Sequence, residues 1–115
     1  MKRFVVIQFE IEGVHHWPDC PHEDVAYLRD KHRHVFHVRT ATAVGHGDRE
    51  IEIIRHKRAM MRWLVKAFPR YEGGCLDFGK FSCEMIAESI INEFGCDWCR
   101  VLEDGENGAL VMRDA

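Results

Sequence analysis

His32-Arg33-His34-Val35-Phe36-His37-Val38 is the stretch that decides how this chain reads. It is rich in β-branched and aromatic residues, and the same character persists to Val44, so a strand is expected from His32 to Val44. Alternate side chains of a strand share a face. His32 and His34 then point together, with Phe36 and Val38 continuing that face, while Arg33, Val35, His37 and Arg39 point the other way. Two imidazoles one pleat apart can reach a single cation. Zinc takes nitrogen ligands at about 2.0–2.1 Å in a tetrahedral arrangement, so a third ligand must come from elsewhere in the chain.

Upstream, Phe4 to Glu12 reads as a first strand, ended or bulged by Gly13. His15 and His16 follow its end. If the two strands pair antiparallel, that end lies beside His32, and either histidine can supply a third imidazole. Three imidazoles leave one position open, as in catalytic zinc sites. Residues 17–30 carry Pro18, Asp19, Pro21, Glu23 and Asp24 and read as a loop with room for a helical turn.

Downstream, Gly45-His46-Gly47-Asp48 is a turn. From Arg55 to Phe68 a helix is expected, with Ala59, Met60, Leu64 and Phe68 on a three-to-four spacing and Pro69 ending it. Ser82 is a plausible N-cap for a second helix through Phe94, with Gly95 just beyond its end. Strands are expected near Trp98–Leu102 and Ala109–Met112, joined by the hairpin loop 104–108. The order ββααββ predicts an α+β fold: a four-stranded antiparallel sheet with two helices packed on one face, in one domain over residues 1–115.

Composition narrows the function. Of 115 residues, 46% are hydrophobic and 30% charged, an ordinary globular balance. The net charge is −3, and the short run Arg55-His56-Lys57-Arg58 reads as a solvated helix face, so no nucleic-acid partner is expected. Nothing resembles a membrane span or a secretory leader. Five cysteines, an odd number at irregular spacing, suggest reduced thiols in a cytoplasm. Cys96-Asp97-Trp98-Cys99 leads into a strand, where positions i and i+3 face opposite sides, and reads as a pair of structural thiols.

Three segments together resemble a known family. Phe9 with Val14-His15-His16-Trp17-Pro18, then His32-Arg33-His34-Val35-Phe36-His37-Val38, then Ser82-Cys83-Glu84-Met85-Ile86-Ala87 and Arg100-Val101-Leu102-Glu103 are similar to motifs of the 6-pyruvoyl-/6-carboxytetrahydropterin synthases. The likeness spans nearly the whole chain. It implies the tunnelling fold (T-fold) and a ring-like homo-oligomer such as a hexamer. It also implies Zn2+ held by His15, His32 and His34, and a pterin- or purine-like ligand bound by Glu103 and Glu84. A carboxylate suits the edge of such a ring because it accepts two N–H bonds at once.

The pattern is incomplete. Leu28 stands where the family has its cysteine, Arg33 replaces the glycine between the two histidines, and Ala67-Phe68-Pro69-Arg70 offers no catalytic Asp-His pair. Cys20, Glu23, Asp24, Asp30 and His46 are the weak candidates for proton transfer, and His56 is a spare one. Lyase-type side-chain chemistry on the ring is the expected activity. The alternative is a repurposed relative that keeps the zinc and binds a ring, a nucleotide or a protein without that chemistry.

Overall fold

The structure is a computed structural model that describes residues 1–114. In chain order the elements are β1 (Arg3–His15), a 3-10 helix (Glu23–Arg29), β2 (His32–Val44), α1 (Ile53–Ala67), β3 (Leu76–Asp77), α2 (Cys83–Phe94), β4 (Trp98–Glu103) and β5 (Asn107–Met112). The fold is α+β, with the sheet order β3-β1-β2-β4-β5.

β1 and β2 pair antiparallel over their full length, from Arg3 opposite Val44 to His15 opposite His32. β4 pairs antiparallel with the other edge of β2, which brings Glu103 opposite Phe36, and β5 returns beside β4. Four antiparallel strands are therefore as expected. The sheet has a fifth, however: Leu76–Asp77 runs parallel to β1 beside Gly13 and Val14. Gly13 makes this possible, because a Cβ there would stand 2.4 Å from the ring of Phe78. Phe78 also donates its N–H to the Val14 carbonyl at 2.8 Å.

Both long helices lie on one face of the sheet, α1 over β1 and α2 over β4 and β5. Ile7, Phe9, Phe36, Val38 and Val101 from the strands meet Met60 and Leu64 of α1 and Ile86 and Ile90 of α2 in one buried cluster. α1 begins two residues earlier than its apolar spacing suggests, because the Glu52 carboxylate accepts the Ile54 N–H at 2.7 Å. It ends at the extended Phe68, as the residue before a proline favours. In α2, Ser82 Oγ accepts the Met85 N–H, and Gly95 is left-handed with φ of 67°. Cys96 and Cys99 are both fully buried in the core, in keeping with structural thiols. No helix among the described residues is long and apolar enough to cross a membrane.

The β4–β5 loop is tighter than 104–108. Asn107 already pairs with Glu103, leaving Asp104, Gly105 and Glu106. Asp104 and Gly105 both have positive φ, 55° and 74°, as a type I′ turn requires.

Candidate metal centre

His15 ends β1 and His32 begins β2, so the antiparallel ladder sets them directly opposite each other. His34 is one pleat further along β2. The ring centroids lie 4.6 Å apart for His15–His32, 5.4 Å for His15–His34 and 5.1 Å for His32–His34. Glu103, at the end of β4, reaches into the same space. One donor atom from each of these four residues lies within 4.8 Å of all the others. Four donors around zinc at about 2.0–2.1 Å stand roughly 3.4 Å apart, so small side-chain adjustments suffice to close the set.

Each imidazole is tied from behind. His15 Nδ1 lies 2.8 Å from the Phe81 carbonyl, His32 Nδ1 2.8 Å from the Asp30 carbonyl, and His34 Nδ1 2.7 Å from Asp104 Oδ2. A carbonyl can only accept, and an ionised carboxylate likewise, so these contacts assign the proton of each neutral ring to Nδ1. Every Nε2 then carries a lone pair. This is the outer support typical of metal-bound histidines, which fixes both tautomer and ring orientation.

The inward side lacks what the outward side has. Nε2 of His15 and of His34 are buried, and neither has a hydrogen-bond donor facing it. His15 Nε2 nevertheless lies 2.8 Å from Glu103 Oε2, and His34 Nε2 lies 3.6 Å from the same oxygen. With the proton on Nδ1, lone pair faces lone pair at 2.8 Å unless a cation stands between them. A proton can fill that role. Burial opposes a charge on His15, but the Glu103 carboxylate and the Phe81 carbonyl outweigh it and raise the pKa. The same contact with His15 holds the Glu103 carboxyl below its ordinary range, against the effect of burial. His32 is shifted down, first by burial and then by the two neighbouring imidazoles, despite its bond to Asp30. A divalent ion meets the same electrostatic need, and the donor set of three imidazoles and a carboxylate fits one.

A cleft of about 560 Å³ opens onto His15, His32 and Glu103. Trp17, Leu28, Phe81 and Met85 give it apolar walls, and Glu84 and Lys80 stand among its charged groups. Glu84 is exposed, in the first turn of α2. Cys83 is buried beside Glu103. Burial, reinforced by the charges of Glu103 and Glu84, pushes its thiol up to about 12, so it stays protonated at neutral pH.

The weak candidates for proton transfer do not join the centre. Cys20 is buried, with its thiol near the carbonyls of His22 and Val25. Glu23 pairs with Arg29 at 2.7 Å on the surface. Asp24 is exposed on the same 3-10 helix. Asp30 contributes its backbone carbonyl to His32 rather than its carboxylate. His46 lies in the exposed turn, 3.7 Å from Glu50. His56 packs against Phe94, and burial lowers its pKa.

Asp104 is the residue that sequence reasoning passed over. Its carboxylate holds His34 Nδ1 through Oδ2 and the Val35 N–H through Oδ1, while its own N–H donates to the Val35 carbonyl. An Asp-Gly pair in a hairpin loop ordinarily signals only the turn. Comparison with family models and with curated proteins finds no match for this chain.

Proposed function

We propose that this chain is a zinc protein of the T-fold that binds a pterin- or purine-like ring and acts on its side chain, as the 6-pyruvoyl-/6-carboxytetrahydropterin synthases do. The observation that carries the metal part is the convergence of three back-tied imidazoles on the Glu103 carboxylate, within reach of one cation. Nitrogen donors favour zinc over magnesium or calcium, which take oxygen. His15, His32 and His34 are the ligands, and bound zinc supplies Lewis-acid polarisation of a substrate oxygen. Two long helices on one face of a sheet whose four longer strands pair antiparallel support the T-fold reading, the short fifth strand β3 being an addition to it, and the aromatic and aliphatic walls of the cleft suit a planar ring. Self-association into a ring of copies belongs to the same reading, and so does a cytoplasmic setting for five free cysteines.

One observation favours a second reading. Glu103, the expected ring anchor, lies against His15 inside the ligand cluster, and Leu28 lines the cleft where the family has its cysteine. A closed three-histidine, one-carboxylate centre is structural in type. The protein then binds a ring, nucleotide or protein partner without side-chain chemistry.

Metal analysis of the purified protein tests the shared premise. About one zinc per chain is expected, lost in His15→Ala and His34→Ala; absence of stoichiometric metal would end both readings. Assay of a dihydroneopterin triphosphate with wild type and Glu103→Ala separates them. Turnover that Glu103→Ala abolishes supports the enzyme, while pterin binding without turnover supports the binder.

A further inference from the structure

Away from the helices the sheet presents a second face. It takes the residues that alternate with core positions such as Phe9, Val38 and Val101. At one end of β1 and β2 its charges are matched. Arg33 Nη1 lies 3.3 Å from Glu12 Oε2, and His37 Nδ1 lies 3.4 Å from Glu10 Oε1. At the next position on this face the ladder sets Gln8, a neutral amide, opposite Arg39. Gln8 Oε1 accepts the Arg39 Nε–H at 2.9 Å but brings no charge.

The adjoining strand adds a second cation instead of an anion. Arg100 of β4 is the direct partner of Arg39 in the antiparallel ladder, and on its other side it faces Leu110. Directly opposed side chains of a sheet have Cβ atoms about 4.5–5.5 Å apart, and like charges there are destabilising. Among the described residues neither guanidinium belongs to an ion pair. Arg100 Nε is buried and has no hydrogen-bond partner. A buried donor on a charged group is costly to leave unmet. Both side chains are half-buried, so salt screens them less than it screens a free surface charge. The same face that gives Arg33 and His37 a carboxylate each thus leaves two adjacent arginines without one.

We propose that Arg39 and Arg100 form a binding site for a dianionic phosphoryl group, carried by inorganic phosphate or by a small phosphate monoester. A monoester carries a charge of about −1.5 to −2 at pH 7 and offsets both guanidinia, whereas a carboxylate offsets one. Each guanidinium presents a rigid fork of N–H donors that fits two oxygens of a tetrahedral anion. Turning the Arg100 fork onto the anion gives its Nε–H the acceptor it lacks. Arg39 supplies its Nη donors and keeps Gln8. Trp98 and Leu102 stand one pleat to either side of Arg100 on this face, so an apolar substituent on the phosphate has surface beside it. Neither arginine lines the cleft at the metal centre, and the site lies outside the chemistry proposed there.

Calorimetric titration of the full chain with inorganic phosphate, and separately with phenyl phosphate, tests the site. One anion per chain is expected, with the Arg100 Nε–H resonance shifting in step. Tighter binding of inorganic phosphate identifies the free ion as the ligand, and tighter binding of phenyl phosphate identifies a monoester. Arg39→Gln and Arg100→Gln are each expected to weaken binding at least about tenfold, the effect of losing a hydrogen bond to a charged group. Gln8→Glu supplies the missing carboxylate in place. It is expected to melt no lower than wild type and still to bind phosphate at least about tenfold more weakly, a combination that misfolding cannot produce. An anion held at the metal centre instead would ignore both arginines. Titrations that do not saturate at one anion per chain overturn the site. So does affinity left unchanged by the two arginine substitutions or by Gln8→Glu.

Discussion

Asp104 joins the hairpin turn to the metal cluster with one carboxylate, one oxygen on His34 and the other on the Val35 amide. Residues that orient a metal-bound histidine typically cost 10–100-fold in affinity when removed. Asp104→Ala is therefore expected to weaken zinc binding by about 10–100-fold, read by competition with a chromogenic chelator. Unchanged affinity would show that His34 needs no support from behind. A second carboxylate, Asp77, answers to pH. Burial works to raise its pKa, but the ion pair with Lys31 and the Gly79 N–H prevail and lower it. A pKa lowered on folding contributes stability that is present above the unfolded value of about 3.9 and is lost as pH falls through the folded one. Lys31→Met is expected to lower stability at pH 7, and the difference from wild type should vanish in strong acid. A difference that stays constant from pH 7 to pH 2 in denaturant titrations would assign the effect to packing of the lysine stem. The turn dipeptide Asp104-Gly105 was legible as a turn. Its second task was not, because the carboxylate acts on a residue 70 positions earlier in the chain.

Among the elements, β2 and α2 followed their local sequence closely. The alternation of His32 to Val44 placed both histidines on one face, and Ser82 and Gly95 marked the limits of α2. β3 escaped because two residues are too few to show a period, and its partner in β1 is remote. Its docking depends on Gly13, and Gly13→Ala sets the Cβ against the Phe78 ring. Overpacking of this kind costs about 1–3 kcal/mol, and thermal melts of Gly13→Ala should fall accordingly. A variant as stable as wild type would mean that Phe78 moves freely and that the β1–β3 contact contributes little.

For the whole molecule, the candidate metal centre draws on three strands, and a ligand that binds only the native state stabilises it. At a zinc concentration 100 times the Kd the gain is about 2.7 kcal/mol. For a domain of this size that is a rise in Tm on the order of 10 °C, reversed by a chelator. A Tm indifferent to both zinc and chelator would argue against a native metal centre. The histidine pair on β2 and its meeting with the end of β1 could be seen from strand pairing alone. The entry of Glu103 into the same cluster could not, because it depends on the β2–β4 register, which no local pattern specifies. The cluster also spans most of the chain, with its first donor at residue 15 and its last at residue 103. During synthesis, β1 and β2 can present their imidazoles long before β4 exists. The carboxylate and the aspartate that steadies His34 are made almost ninety residues after His15, so the donor set stays incomplete while most of the chain is synthesised. The four-residue donor set is therefore complete only once the C-terminal hairpin has found its place, so in the proposed zinc protein secure metal loading would come late in biogenesis.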